Sequence, residues 1–290
     1  MKYRWMIYIV PVIFPVQAVA QTATASASIT GSPSNGGATV SPATVSQATD
    51  RLSAPLRSLS VSVGTSYASG DFGSNANAKI WNTPLGVRYA MGPLRITASI
   101  PYMRIRSNGA IFTGIDSTPI IVASPSSRRI KSNGFGDATI GAAYTRLIND
   151  AIEIEFAGRI KVPTATRASG LSSGKADYAG AVQISTITGR FSPFLSGGYR
   201  VLGDPHTFNL RNGISASAGS SVTLTDKTIL LASYHYAQTA SRLVRDSHEL
   251  FAGASQRIGS RGLLLTGFAT AGLSSGASAV SGGLSLSFRL

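Results

Sequence analysis

The chain has 290 residues, with 31 Gly, 13% charged residues and no Cys. The missing Cys excludes a disulfide framework and any thiolate metal site, and the wealth of Gly, Ser, Thr and Ala favours closely spaced strands and turns over a helical bundle. The formal net charge is +14, but the basic residues stand singly except for Arg128-Arg129, so the charge points to an anionic membrane surface or anionic solute and away from nucleic acid.

At the N-terminus, Lys2 and Arg4 form a positive region, Met6 to Val16 an apolar one, and Ala18-Val19-Ala20 places small residues before Gln21. This is the pattern of a cleaved secretory signal peptide over residues 1–20. Pro11 and Pro15 interrupt the apolar run, which is shorter than the roughly 20 residues of a spanning helix. Loss of Lys2 and Arg4 lowers the net charge from +14 to +12. Residues 21–57 are mostly low-complexity Ser, Thr, Ala, Gly and Pro. They offer too little apolar surface to offset ordering entropy, which predicts a flexible periplasmic tail.

From residue 58 onward the pattern is alternation of period two, the mark of strands with unlike faces. The last strand shows it well: Val280, Gly282, Leu284, Leu286, Phe288 and Leu290 share one face, and Ser281, Gly283, Ser285, Ser287 and Arg289 the other. Similar runs are expected at 58–67, 80–90, 93–105, 134–147, 150–163, 175–188, 190–202, 208–219, 227–238, 246–258, 262–273 and 279–290. Short links near Met91-Gly92, Ile148-Asn149-Asp150, Gly189, Thr225-Asp226 and Ser260-Arg261 alternate with longer ones at 68–79, 106–133, 164–174, 203–207, 239–245 and 274–278. A Greek-key sandwich does not keep that rhythm. Tight periplasmic turns and long outer loops do. The expectation for 58–290 is therefore all-β: an antiparallel up-and-down transmembrane β-barrel of 12 strands in the outer membrane of a Gram-negative cell. Its apolar face meets lipid and its polar face lines the interior.

Three motifs occur in order in the middle of the chain: Asn133-Gly134-Phe135-Gly136-Asp137, Lys161-Val162-Pro163-Thr164, and Ser173-Gly174-Lys175-Ala176-Asp177-Tyr178. In this order the chain resembles the transporter-like outer-membrane barrels named for the meta-pathway of phenol degradation, although Ala165 stands where that pattern has Gly. The resemblance covers about a quarter of the chain. It implies uptake of small, often aromatic compounds and marks Gly134, Gly136, Asp137, Pro163, Thr164, Gly174 and Asp177 as motif residues. Physically these residues also suit structure alone, since Gly permits a bulge at a barrel rim and Pro is tolerated at a strand end. The C-terminal strand, with Phe288 two residues before Leu290, resembles the terminal strand read by the barrel-insertion machinery, though the usual last residue is aromatic.

Parity places Arg88, Arg95, Asp137, Glu153, Glu155, Arg159, Lys161, Arg200, Arg211, His235, Glu249, Arg257 and Arg289 on the interior face. On the lipid face an Arg or Lys would cost roughly 2–4 kcal/mol at mid-membrane. The interior is net basic, which concentrates anions. Arg95, Arg159, Lys161, Arg200 and Arg211 are the candidate contacts for a small solute; the competing reading is that these charges pair across a narrow lumen. Tyr89, Tyr102, Tyr144, Tyr178, Tyr199, Tyr234 and Tyr236 are expected near strand ends on the lipid face, as an aromatic girdle. The loop 106–133, with Arg128, Arg129 and Lys131, could meet lipopolysaccharide phosphates or plug the pore. The partners expected are thus outer-membrane lipid and lipopolysaccharide, the insertion machinery and a small solute, with no cofactor. The histidines, at 206, 235 and 248, have no metal-ligand spacing, and no Gly-x-Ser-x-Gly elbow joins a strand to a helix. The sequence therefore offers no enzyme. A channel and a non-conducting barrel acting through its outer loops are the two readings left.

Overall fold

The alternation sets where each side chain points, and a sheet with one dry and one wet face follows from it. The computed structural model describes residues 57–72, 78–108, 110–115, 119–122, 130–166, 169–186, 189–203, 210–242, 244–259 and 262–290. The expected signal peptide, the tail before Arg57, and Arg128 and Arg129 lie outside the described residues.

The strands are β1 (Arg57–Gly70), β2 (Ala78–Met91), β3 (Leu94–Ser107), β4 (Ala110–Thr113), β5 (Pro119–Val122), β6 (Ile130–Phe135), β7 (Ala138–Asn149), β8 (Ile152–Val162), β9 (Asp177–Thr186), β10 (Phe191–Val201), β11 (Gly213–Thr225), β12 (Thr228–Ala237), β13 (Ser247–Ile258), β14 (Leu263–Gly272) and β15 (Val280–Arg289). All pairings are antiparallel. Because β1 pairs with both β2 and β15, the sheet closes on itself. Closure leaves no edge strand, so backbone donors and acceptors pair within the sheet, as hydrocarbon requires. One strand is interrupted: β6 and β7 both pair with β3, meeting Tyr102–Ser107 and Leu94–Ser99 respectively. Gly136 sits at the break and donates its N–H to the Pro101 carbonyl at 2.8 Å. With β6 and β7 taken as one strand, the barrel has the expected 12, and β4–β5 is an extra hairpin outside the ring.

Short turns close one end. Asn149 Oδ1 accepts the N–H groups of Ala151 and Ile152 at 2.9 and 2.8 Å, and Thr225 Oγ1 accepts that of Lys227 at 3.2 Å. The longer connections all leave at the other end, which by this asymmetry is the outer one. Two regions differ from the expectation. The stretch 106–133, expected as a loop, holds the end of β3, the β4–β5 hairpin and the start of β6. One strand is also shifted along the chain. The strand expected at 208–219 is β11, Gly213–Thr225. Its Ser-Ala-Gly composition gives little contrast between faces, while Arg211 belongs to the rim, donating from Nε to the Thr239 carbonyl at 2.7 Å.

The two faces are those expected. Val61, Val63, Leu85, Val87, Ile140, Phe156, Leu195 and Leu284 are exposed on the outside, whereas Ser60, Ser66, Gln183, Ser221, Thr266 and Ser285 are buried inside. Hydroxyl pairs bridge neighbouring strands within the lumen: Ser196 with Ser217 at 2.6 Å, Ser255 with Thr266 at 2.8 Å, and Thr270 with Ser281 at 2.7 Å. Tyr89, Tyr102, Tyr144, Tyr178, Tyr199 and Tyr234 are exposed outward. Tyr236 shares their face but is half-buried, because its hydroxyl donates to Asp246 Oδ2 at 2.8 Å.

Candidate functional site

The three sequence motifs converge at the outer end of the lumen. Antiparallel pairing sets Lys161 of β8 against Asp177 of β9 and Thr139 of β7. That brings the Lys161 ammonium to 3.3 Å from Asp137 Oδ2 and 2.9 Å from Asp177 Oδ2, with all three side chains 0–1% exposed. The knot also grips the connection 163–176. Ser172 Oγ donates to Asp137 Oδ2 at 2.8 Å, Ala165 N–H to Asp137 Oδ1 at 3.1 Å, and Lys161 Nζ to Ser173 Oγ at 3.1 Å. Gly174 donates to Ser172 Oγ at 2.9 Å, and Thr164 Oγ1 accepts the Ala138 N–H at 2.9 Å. Pro163 is exposed just past the end of β8. Gly134, at φ +145°, adopts a backbone that side chains rarely take. Held this way, the connection turns Leu171 inward, where it is buried with Phe72, just past β1, and with Ile80, Met103 and Ile105 of β2 and β3.

A second knot joins the connections on the other side of the mouth. Arg200 donates to the Gln238 carbonyl, and Arg211 reaches Asp246 Oδ1 at 2.9 Å. Thr239 N–H donates to Asp246 Oδ1 at 3.0 Å. Partial burial pushes the Asp246 carboxyl up, but the Thr239 amide, the Tyr236 hydroxyl and the Arg211 guanidinium outweigh it and hold its pKa below the ordinary carboxylate value. Ile120 of the β4–β5 hairpin is buried here against Leu202 and Ala240. The hairpin springs from the β3–β6 side, so this contact carries it across the mouth.

Below the mouth, Arg95 makes two hydrogen bonds to Glu155, both at 2.9 Å, and Thr145 Oγ1 donates to the same carboxylate at 3.1 Å. Arg88, Arg159, Arg257 and Arg289 are half-buried, with the inward parity expected of them. The five solute-contact candidates therefore divide. Arg95 and Arg159 line the lumen below the mouth, Arg200 and Arg211 tie down outer connections, and Lys161 is enclosed between two carboxylates. Asp177 also points inward and is buried, an interior acid that the parity list omitted.

Sequence reasoning missed an apolar patch. Phe194, Leu231, Phe251 and Phe268 form one buried cluster on the inner faces of β10, β12, β13 and β14. Phe251 stacks on Phe268 at 5.9 Å between ring centroids, and His235 meets Phe251 edge-on at 6.1 Å while contacting Ser233 Oγ at 2.8 Å. The rings lie flat along the wall over glycines: a Cβ on Gly219 would come within 2.8 Å of Phe194, and one on Gly283 equally close to Phe268. Each of these residues occupies a polar-face position in its strand, but outward apolar neighbours such as Leu195 and Leu230 mask that parity. In the strand order, β12 and β14 lie across the ring from β3 and β8. Leu231 and Phe268 thus lie on the wall opposite Arg95 and Arg159, while Phe194 on β10 sits nearer to β8.

This fold recurs in a solved structure. An outer membrane channel from Pseudomonas putida F1 is similar over 82% of this chain and 97% of its own, with a TM-score of 0.62 and 12% identity. The KdgM porin (TM-score 0.49, 8% identity, 78% and 98% of the two chains) and the CymD monoaromatic hydrocarbon channel (TM-score 0.41, 12% identity, 86% and 91%) are further structures with some likeness. The likeness is one of fold, a closed antiparallel β-barrel. No family model and no curated protein matches the chain.

Proposed function

We propose that this barrel is an outer-membrane channel for small solutes, and that it favours anions carrying an apolar or aromatic body. One observation carries the reading: an inner wall with Arg95 and Arg159 lies across the ring from Leu231 and Phe268, with Phe251 on the strand between those two. A fixed cation attracts the carboxylate of such a solute, and the rings offer its body a dry, flat surface. The motif resemblance to the meta-pathway barrels points to the same substrate class. Export by the signal peptide and insertion through β15 bring the chain to the outer membrane, and no cofactor takes part.

Recording the mature barrel in planar bilayers under a salt gradient tests this. The expected reversal potential has the sign of anion selectivity, and Arg159→Gln moves it toward zero. Benzoate is expected to permeate liposomes faster than a cation of similar size. Absence of conductance and of liposome swelling overturns the proposal and favours the second reading, a non-conducting barrel acting through its outer loops. The burial of Ile120 across the mouth supports that alternative.

A further inference from the structure

Strands β1, β2 and β3 each have 14 residues, more than the roughly 9–11 that a tilted strand needs to cross hydrocarbon. At the outer end of this sector the outward face changes character row by row. The register aligns Thr83, Tyr102 and Phe135 across β2, β3 and β6, then Trp81, Arg104 and Asn133, then Lys79, Arg106 and Lys131. The rings form a girdle, with Tyr102 and Phe135 edge to face at 5.4 Å and Tyr67 and Trp81 at 6.0 Å. Arg104, level with Trp81, and Lys79, Arg106 and Lys131, one row further out, are all exposed, and among the described residues none of them makes an ion pair. The last row spans about 10 Å, two interstrand spacings. Asp71, on the β1–β2 connection, lies beyond these rows in sequence. Outward positions at the same end of β8, β10, β11 and β15 are Val162, Val201, Ile214 and Val280, and the exposed cations Lys175, Arg242 and Arg245 at that end stand on connections rather than in strand rows.

We propose that this sector is a binding site for the phosphate groups of lipopolysaccharide in the outer leaflet. An aromatic girdle marks the edge of the hydrocarbon. Cations level with its outer ring and directly above it sit at headgroup depth, where phosphorylated glycolipid supplies the complementary charge. The site rests on the outer-membrane reading and is independent of conduction.

The test is lipopolysaccharide binding to detergent-folded mature barrel, followed by native mass spectrometry. The variant Lys79→Gln/Arg104→Gln/Arg106→Gln/Lys131→Gln is expected to bind about tenfold more weakly or worse. Dephosphorylated lipopolysaccharide is expected to bind the unaltered barrel as weakly as that variant binds the intact lipid. Arg57→Gln/Arg146→Gln, which removes exposed cations at the opposite end, is expected to change nothing. Heat-modifiable gel mobility verifies folding, and Arg104→Gln/Arg106→Gln replaces the quadruple variant should that one not fold. Equal binding by the folded variant, or by dephosphorylated lipid, overturns the proposal, as does full competition by millimolar inorganic phosphate, which would make this a free-phosphate site. A barrel that binds lipopolysaccharide as expected but carries no current sinks only the channel reading.

Discussion

The two ionic knots at the mouth share their chemistry and differ in their solvent. Asp137, Lys161 and Asp177 are 0–1% exposed, whereas Arg211 and Asp246 are 27% and 29% exposed at nearly the same distance. Attraction between charges is stronger in the dry knot, but so is the cost of leaving one charge there alone. In the wet knot, water and salt screen the pair and hydrate either partner after the other is lost. Equal distances thus conceal unequal consequences. The dry knot fixes the connection 163–176, and the wet one can be altered with little effect on the fold.

Lys161→Met gives the largest effect expected. It leaves two buried carboxylates facing one another and should cost about 3–5 kcal/mol, measured by urea unfolding of the barrel in lipid vesicles. Adding Asp137→Asn and Asp177→Asn removes the stranded charges and should recover more than half of that loss, since neutral replacement of a buried ion network is often tolerated. A loss under about 1 kcal/mol for the single variant would erase the distinction between the knots.

Arg95 and Glu155 lie between these extremes, at 15% and 1% exposure. Arg95→Met should cost about 1.5–3 kcal/mol, the range for a hydrogen bond to a charged group, because Thr145 still donates to the carboxylate. The same change removes a lumen cation, so anion selectivity in bilayers should fall with it. Stability loss without a selectivity change would mark the pair as structural only.

Much of this was legible in the sequence, and what was not has a common cause. Strand number, the alternation of short and long links and the inward parity of Arg95, Arg159 and Lys161 follow from a period of two. The motif order placed Asp137, Lys161 and Asp177 on three strands, yet only register shows that they meet. Parity carries no depth, however. In the outer part of β2 and β3, Ile80, Met103 and Ile105 point inward and are buried, while Lys79, Arg104 and Arg106 point outward. Above the hydrocarbon the barrel is built like a soluble protein, and the strand pattern does not say where that change begins. The lumen patch escaped for a related reason. Leu230 and Leu231, or Phe194 and Leu195, blur the alternation, so an inward apolar residue looks like noise in an outward row.

The wet knot predicts the smallest effect and the clearest dependence on pH. Asp246 has a folded-state pKa below its unfolded value, so its contribution is fully present above the unfolded value of about 3.9. It fades as pH falls through the lower folded value. Between about pH 5 and 8 the knot should therefore be constant, and only stronger acid should release it. Asp246→Asn should cost no more than about 1 kcal/mol, with part of even that screened by salt. Global unfolding would scarcely register so small a change. Amide exchange would, because the Thr239 N–H donates to Asp246 Oδ1 and an amide oxygen accepts more weakly than a carboxylate. Faster exchange at Thr239 in Asp246→Asn at neutral pH is expected, with the amides of β8 and β9 unaffected. Equal acceleration around Lys161 would mean that the two knots open together, and the contrast between dry and wet would then lie within a single cooperative rim.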